Sequence, residues 1–75
     1  MIFLVRFPER FGGRYDRRVE ARNPVHAVTL ARSTCGFHAG SVVLESSQRE
    51  HHGVRVGKEH PEDIGDLYEV QEVAS

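Results

Sequence analysis

The feature that most constrains the fold of this chain is one point where a strand pattern passes directly into a helical pattern. In Tyr15–Arg22, charged residues occupy every second position, as on one face of a strand. Asn23-Pro24 follows directly. Asn23 offers a side-chain acceptor to the first helical turn, and proline at the first helical position needs no backbone donor. Gly36 can supply a left-handed stop. The sequence therefore predicts a helix over about Pro24 to Cys35. Its apolar stripe, which should lie on a sheet, is Ala27, Val28, Ala31 and Cys35.

The other apolar runs have the length and β-prone composition of strands. Ile2–Phe7 is apolar on both parities, which predicts a central, two-sided strand, and Gly12-Gly13 predicts a hairpin turn towards Tyr15–Arg22. Ser41–Lys58 predicts a second hairpin with a long polar tip, and Leu67–Val73 predicts a last strand at a sheet edge. The expected order is β-β-α-β-β-β. This is an α+β, two-layer domain with a mostly antiparallel sheet and one helix packed on one face.

Length and cysteine content limit how such a fold is stabilised. A chain of 75 residues makes a single domain, residues 1–75, near the size at which a hydrophobic core is only marginally sufficient. Cys35 is the only cysteine, which rules out an internal disulfide, favours a reducing compartment and leaves a homodimer open. The apolar opening Met1–Val5 is too short for a signal peptide, and no run approaches the ~20 residues of a membrane span. We expect a soluble, cytoplasmic protein without a membrane partner.

The overall charge of −1 hides a strong asymmetry along the chain. Met1–Cys35 carries seven arginines against three acids, whereas Gly36–Ser75 has a net charge of −5. The last seventeen residues contain acids but no Lys or Arg, and such a surface could occupy a basic nucleic-acid-binding channel of another protein. A solvated edge strand protected by its charge is an equally good interpretation. The predicted partner-binding residues are Glu59, Glu62, Asp63, Asp66, Glu69 and Glu72.

The basic residues gather on the first predicted hairpin, where the rings of Phe7, Phe11 and Tyr15 are interleaved with them. Guanidinium groups pair with phosphate and rings stack on bases, so the hairpin has the ingredients of a nucleic-acid-binding surface. A charged outer face that serves only solubility is the simpler interpretation. The alternative nucleic-acid-binding residues are Arg10, Arg14, Arg17 and Arg18.

The spacing of Cys35 and the histidines resembles that of a zinc finger only superficially, which leaves metal binding as a minor alternative. A zinc finger begins with two cysteines and ends with a separated histidine pair, whereas here Cys35 is followed by His38 and by adjacent His51 and His52. Cys35 also falls at the C-terminus of the predicted helix, where partial negative charge raises a thiol pKa. We expect no metal ligands, no cofactor and no catalytic residues.

The strand-to-helix passage resembles the start of many small α+β proteins from phages and mobile elements, including anti-CRISPR proteins. The segments that carry this resemblance are Val19–Pro24 and Ala27–Arg32, within Met1–Cys35. The resemblance implies a non-enzymatic inhibitor in the cytoplasm of a bacterial host. Such an inhibitor docks on a CRISPR effector subunit, or on another nucleic-acid-binding protein, and blocks its engagement of DNA. The alternative is an Arg-rich module that binds nucleic acid through the first hairpin.

Overall fold

A computed structural model describes residues 1–9, 15–37, 40–57 and 65–73, and these form one sheet and one helix. The order β-β-α-β-β-β and the α+β class are those predicted from the sequence. The elements are β1 (Ile2–Phe7), β2 (Tyr15–Glu20), α1 (Pro24–Ser33), β3 (Val42–Gln48), β4 (His51–Val56) and β5 (Asp66–Val73).

All neighbouring strands in the sheet are antiparallel, in the spatial order β2-β1-β5-β4-β3. The prediction that β1 is a central strand is confirmed, because it pairs with both β2 and β5. The prediction that the last strand lies at an edge is wrong, since β5 occupies the middle of the sheet between β1 and β4. Its alternation of apolar and polar residues suits a central antiparallel strand with one wet face as well as it suits an edge.

The helix begins and ends through the local signals found in the sequence. The Asn23 side chain accepts a hydrogen bond from the His26 backbone N–H at 2.8 Å, and Pro24 occupies the first turn. The helix ends at Ser33, two residues before the predicted limit, and a turn continues to Gly36, whose φ is +90°. The Phe37 backbone N–H bonds to the Arg32 carbonyl at 3.0 Å, which caps the last turn in a Schellman-type arrangement.

The second hairpin is tighter than the sequence predicted. Instead of a long polar tip, β3 continues to Gln48, and only Arg49 and Glu50 separate it from β4. Gln48 pairs with His51, and the register shifts between Leu44 and Ser46. The polar residues of this segment can form strands because every side chain of β3 after Val42 is exposed, so pairing asks for no apolar pattern.

The core lies between α1 and one face of the sheet, which we call the helix side. Helix residues Ala27, Val28 and Ala31 are fully buried there. Alternate strand residues complete the core, and their parity decides which side chains remain for the other face. These buried strand residues are Phe3, Val5, Phe7, Val54, Val56, Tyr68 and Val70.

Candidate functional site

The second face of the sheet, which we call the open face, is formed by the strand residues that alternate with the core and is not covered by α1. A groove of about 400 Å³ crosses it from β1 to β3. Leu4 and Leu67 supply its apolar part, and Leu67 is 41% exposed. Arg6 and Glu69 also line it. Most of the remaining lining residues are polar and can donate or accept hydrogen bonds. These include Gln71, His51, Ser46 and Gln48.

Gly53 gives the groove its depth at the centre of β4. A Cβ atom at this position would lie 2.7 Å from Ser46 Oγ and 3.4 Å from Leu67 Cδ1. The first of these distances is shorter than nonbonded heavy atoms tolerate, so a side chain at position 53 would require the Ser46 hydroxyl to turn aside. The missing side chain at Gly53 therefore leaves space in the groove between Ser46 and Leu67.

Two groups of charged residues on the open face form ion pairs. Arg6 Nε lies 3.3 Å from Asp16 Oδ1, and its Nη1 lies 3.9 Å from Glu69 Oε2, which links β2, β1 and β5. Arg55 donates to both carboxylate oxygens of Glu45, at 2.6 and 3.1 Å. Hydrogen bonding from this guanidinium lowers the pKa of Glu45 below its ordinary value. The face therefore has no strong field of either sign around these pairs.

The described members of the predicted acidic surface do not lie together. Glu69 is on the open face, bound to Arg6, whereas Asp66 is paired with Val56 on the helix side and is buried. Glu72 shares the parity of Asp66 and is half-buried beside Phe3 of β1. A strand sends successive residues to opposite faces, so one strand cannot assemble these acids on one side. Glu59, Glu62 and Asp63 lie outside the described residues.

The described arginines of the alternative site are also divided between the two faces. Arg17 pairs with Val5 and belongs to the helix side, whereas Arg18 pairs with Leu4 and is exposed on the open face. The Phe and Tyr rings of the described strands all belong to the helix side, so none of them offers Arg18 a stacking platform. Arg10 and Arg14 lie outside the described residues.

A polar cluster of Tyr15, Arg17 and Cys35, which the sequence did not predict, lies at the edge of the core. Tyr15 and Arg17 project from β2 on the helix side, and the Arg17 guanidinium hydrogen-bonds to the Tyr15 hydroxyl. The Cys35 thiol, just beyond α1, donates to the same hydroxyl at 3.6 Å. With Phe37 and Phe7, Tyr15 and Cys35 line a pocket of about 180 Å³. The shared parity of Tyr15 and Arg17 was visible in the sequence, but the approach of Cys35 was not.

This cluster lowers the pKa of the Cys35 thiol, whereas its position at the helix C-terminus predicted a raised pKa. Burial raises the pKa of Cys35, but hydrogen bonds from Tyr15, Thr34 and Arg17 to the thiolate together outweigh it, so the pKa lies below its ordinary value. The helix C-terminus argued for a raised pKa, and Arg17 supplies the positive charge that the sequence alone did not place there.

The histidines do not converge on a metal site within the described residues. His51 and His52 are successive residues of β4 and therefore project to opposite faces. His52 hydrogen-bonds to Ser47 at 2.9 Å, and His26 Nδ1 accepts from the Arg22 backbone N–H at 3.2 Å. No group of three potential ligands occurs among residues 1–9, 15–37, 40–57 and 65–73.

Comparisons with known proteins do not assign a function to this chain. No family model, curated protein or solved structure matches it. Within the described residues, no helix is both long enough and apolar enough to cross a membrane.

Proposed function

We propose that this protein is a non-enzymatic, protein-binding inhibitor that docks on a larger partner through its open face. The observation that carries the proposal is the composition of that face. Leu4 and Leu67 line the groove together with hydrogen-bonding side chains such as those of Gln71 and Ser46. Its charged lining residues, Arg6 and Glu69, are paired with each other, and Arg55 is paired with Glu45 on the same face. Separate apolar contacts among hydrogen-bonding groups are compatible with a protein-binding surface, since such surfaces are on the whole about as apolar as the rest of a protein's exterior.

The internal charge pairing also favours a protein over a nucleic acid. Binding of phosphates depends on arginines and lysines that can release condensed counterions. Arg6 is held by Asp16 and Glu69, and Arg55 is held by Glu45, so a phosphate would have to compete with carboxylates at both positions. A partner surface with apolar side chains and hydrogen-bonding groups meets no such competition.

Site-specific crosslinking tests the docking face directly. A photoreactive residue in place of Gln71, exposed in the groove, should give one protein adduct that mass spectrometry identifies. The same residue in place of Ser33, exposed at the end of α1, is the matched control and should not give that adduct. Leu67→Lys should remove the adduct because it places a desolvated charge in the apolar part of the groove.

Three outcomes would overturn the proposal. Equal adducts at positions 71 and 33 would show that capture is not specific to the open face. An adduct with nucleic acid at position 71 would transfer the function to the alternative, an Arg-rich nucleic-acid-binding module. The absence of any adduct at position 71 would show that the face is not occupied.

The narrower proposal, that the partner is a CRISPR effector subunit, rests on the resemblance of Met1–Cys35 and has its own test. Cells with an active CRISPR system should support plaques of a targeted phage when they express the protein or the Ser33→Lys variant. Leu67→Lys should lose this protection. The identification of the partner as a CRISPR effector would be overturned if the unsubstituted protein protected the phage from none of the effector types tested and the crosslinked partner were of another kind. The docking face itself would still stand.

A further inference from the structure

The β3 edge of the sheet carries apolar side chains on both of its faces. Val43, opposite Arg55, lies on the open face and is 57% exposed, and Leu44, opposite Val54, lies on the helix side and is 43% exposed. A partner laid on one face would cover only one of them. A strand added beside β3 would place neighbouring side chains next to both.

The two edges of the sheet differ in how they are protected against such pairing. β2, at one edge, carries charge at Asp16, Arg17, Arg18 and Glu20, the usual defence of an edge strand. β3, at the other edge, has Glu45 as its only charge, and that carboxylate is engaged by Arg55. The register shift between Leu44 and Ser46 limits regular pairing to the first part of the strand.

Backbone directions show which groups of β3 face outward. The Ser41 carbonyl accepts a hydrogen bond from the Gly57 N–H at 2.6 Å, so the backbone groups of Ser41 point towards β4. Because these directions alternate along a strand, Val43 also points towards β4, whereas Val42 and Leu44 present their N–H and C=O groups to the outer side. An added antiparallel strand would therefore bond to Val42 and Leu44.

We propose that β3 is a self-association site at which two copies of this chain pair edge to edge about a two-fold axis centred on Val43. In this register Val42 of each copy exchanges backbone hydrogen bonds with Leu44 of the other, and the two Val43 side chains meet as a non-hydrogen-bonded pair. The sheets of the two copies join into one, and both helices lie on the same side of it.

The sequence of β3 favours a second copy over another strand. The apolar run Val42-Val43-Leu44 is symmetric about its centre, so each apolar residue meets an apolar residue in the two-fold register. Glu45 falls opposite Ser41 of the other copy, whereas a register centred on Glu45 would bring two carboxylates together. So short a contact buries less than the ~800 Å² per partner of a standard interface, and we expect association that depends on concentration.

Sedimentation across a wide concentration series tests the association. The unsubstituted protein should shift from monomer to dimer, and Val43→Lys should raise the dimer dissociation constant at least roughly tenfold, because two like charges would meet at the two-fold axis. Leu67→Lys, a matched change at a 41% exposed residue of the central strand, should leave the constant unchanged. A monomer throughout the series, or equal weakening by both variants, would overturn the proposal.

Disulfide trapping tests the register without relying on a destabilising change. Non-hydrogen-bonded antiparallel pairs have Cα atoms about 4.5 Å apart, within the roughly 4.4–6.8 Å that a disulfide spans. With Cys35→Ser to remove the native thiol, Val43→Cys should oxidise to a linked dimer much faster than Leu67→Cys. Similar rates at the two positions would contradict the β3 register. Val43 is not part of the groove lining, so the variants at position 43 leave the groove intact, and a failure of the self-association proposal would not bear on the docking face.

Discussion

At the residue scale, the chemistry of Cys35 is decided by neighbours that are remote in sequence. Tyr15 and Arg17 come from β2, and their contacts with the thiol arise only because α1 returns its C-terminal end to the sheet. Tyr15 is itself fixed by an edge-to-face contact with Phe7, with ring centroids 5.1 Å apart. The thiol therefore has a polar, cationic environment although the helix end next to it favours the neutral form.

We expect Tyr15→Phe to raise the pKa of Cys35, because this change removes the hydrogen bond from the Tyr15 hydroxyl to the thiolate and keeps the ring. The rate of alkylation of Cys35 by iodoacetamide is measured as a function of pH, and the midpoint of this profile should shift to higher pH in the variant. The pKa of the Cys35 thiol is lower in the folded protein than in the unfolded chain. Ionisation of this thiol therefore adds to stability at pH values above its pKa in the unfolded chain, and the added stability is lost as the pH falls through its pKa in the folded protein. The native protein should thus gain stability over Tyr15→Phe as the pH rises.

Arg18→Met is the control for this measurement, since Arg18 lies on the opposite face of the same strand. It should leave the alkylation profile unchanged. An unchanged or lower midpoint for Tyr15→Phe would contradict the described role of its hydroxyl.

At the element scale, the packing of β3, β4 and β5 around Gly53 couples two strands through one missing side chain. Ser46 of β3 pairs with Gly53, and its hydroxyl oxygen lies 2.7 Å from the position that a Cβ atom of residue 53 would occupy. The register shift in β3 occurs immediately before Ser46. The open space at Gly53 therefore lies beside the point at which the register of β3 shifts.

Gly53→Ala should lower the free energy of unfolding by no more than about 1 kcal/mol, because the atom in the way is the terminal hydroxyl of Ser46, which can turn aside. Adding Ser46→Ala should recover most of this loss, because the next nearest atom of residue 46, its Cβ, is at 4.0 Å. Urea denaturation of both single variants and the double variant measures the coupling. Losses that simply add would show that the hydroxyl is not the obstacle.

At the scale of the whole molecule, stability rests on a small core. A domain of 75 residues has about 4–11 kcal/mol of stability at ordinary values per residue. The core is built from one helix and one sheet face, and its largest fully buried side chains include Tyr68, Phe3 and Val28. A single lost contact in this layer is therefore a large fraction of the total.

Val28→Ala should lower the free energy of unfolding by about 1–3 kcal/mol, since it removes two methyl groups from the helix-to-sheet contact. Val43→Ala is the matched control, because the same atoms are removed at a residue that is 57% exposed. Its effect should stay within about 0.5 kcal/mol in dilute solution. Chemical denaturation of both variants makes the comparison, and equal losses would contradict the assigned core.

The sequence by itself determined the features that depend on neighbouring residues. Asn23 and Pro24 started the helix, Gly36 ended its last turn, and the apolar parity of Ile2–Phe7 predicted a central strand. Caps and turns satisfy backbone groups within a few residues, so their signals are complete in the local sequence. The same local patterns gave the β-β-α-β-β-β order and the α+β class.

Only the tertiary structure decided which strands became neighbours and which side chains met. It placed β5 at the centre of the sheet, separated Asp66 from Glu69, and brought Cys35 to Tyr15. Strand alternation assigns residues to two faces, but it does not say which face α1 covers or which edge stays open. Those outcomes depend on pairing between segments far apart in the chain, and the open face and the β3 edge follow from that pairing.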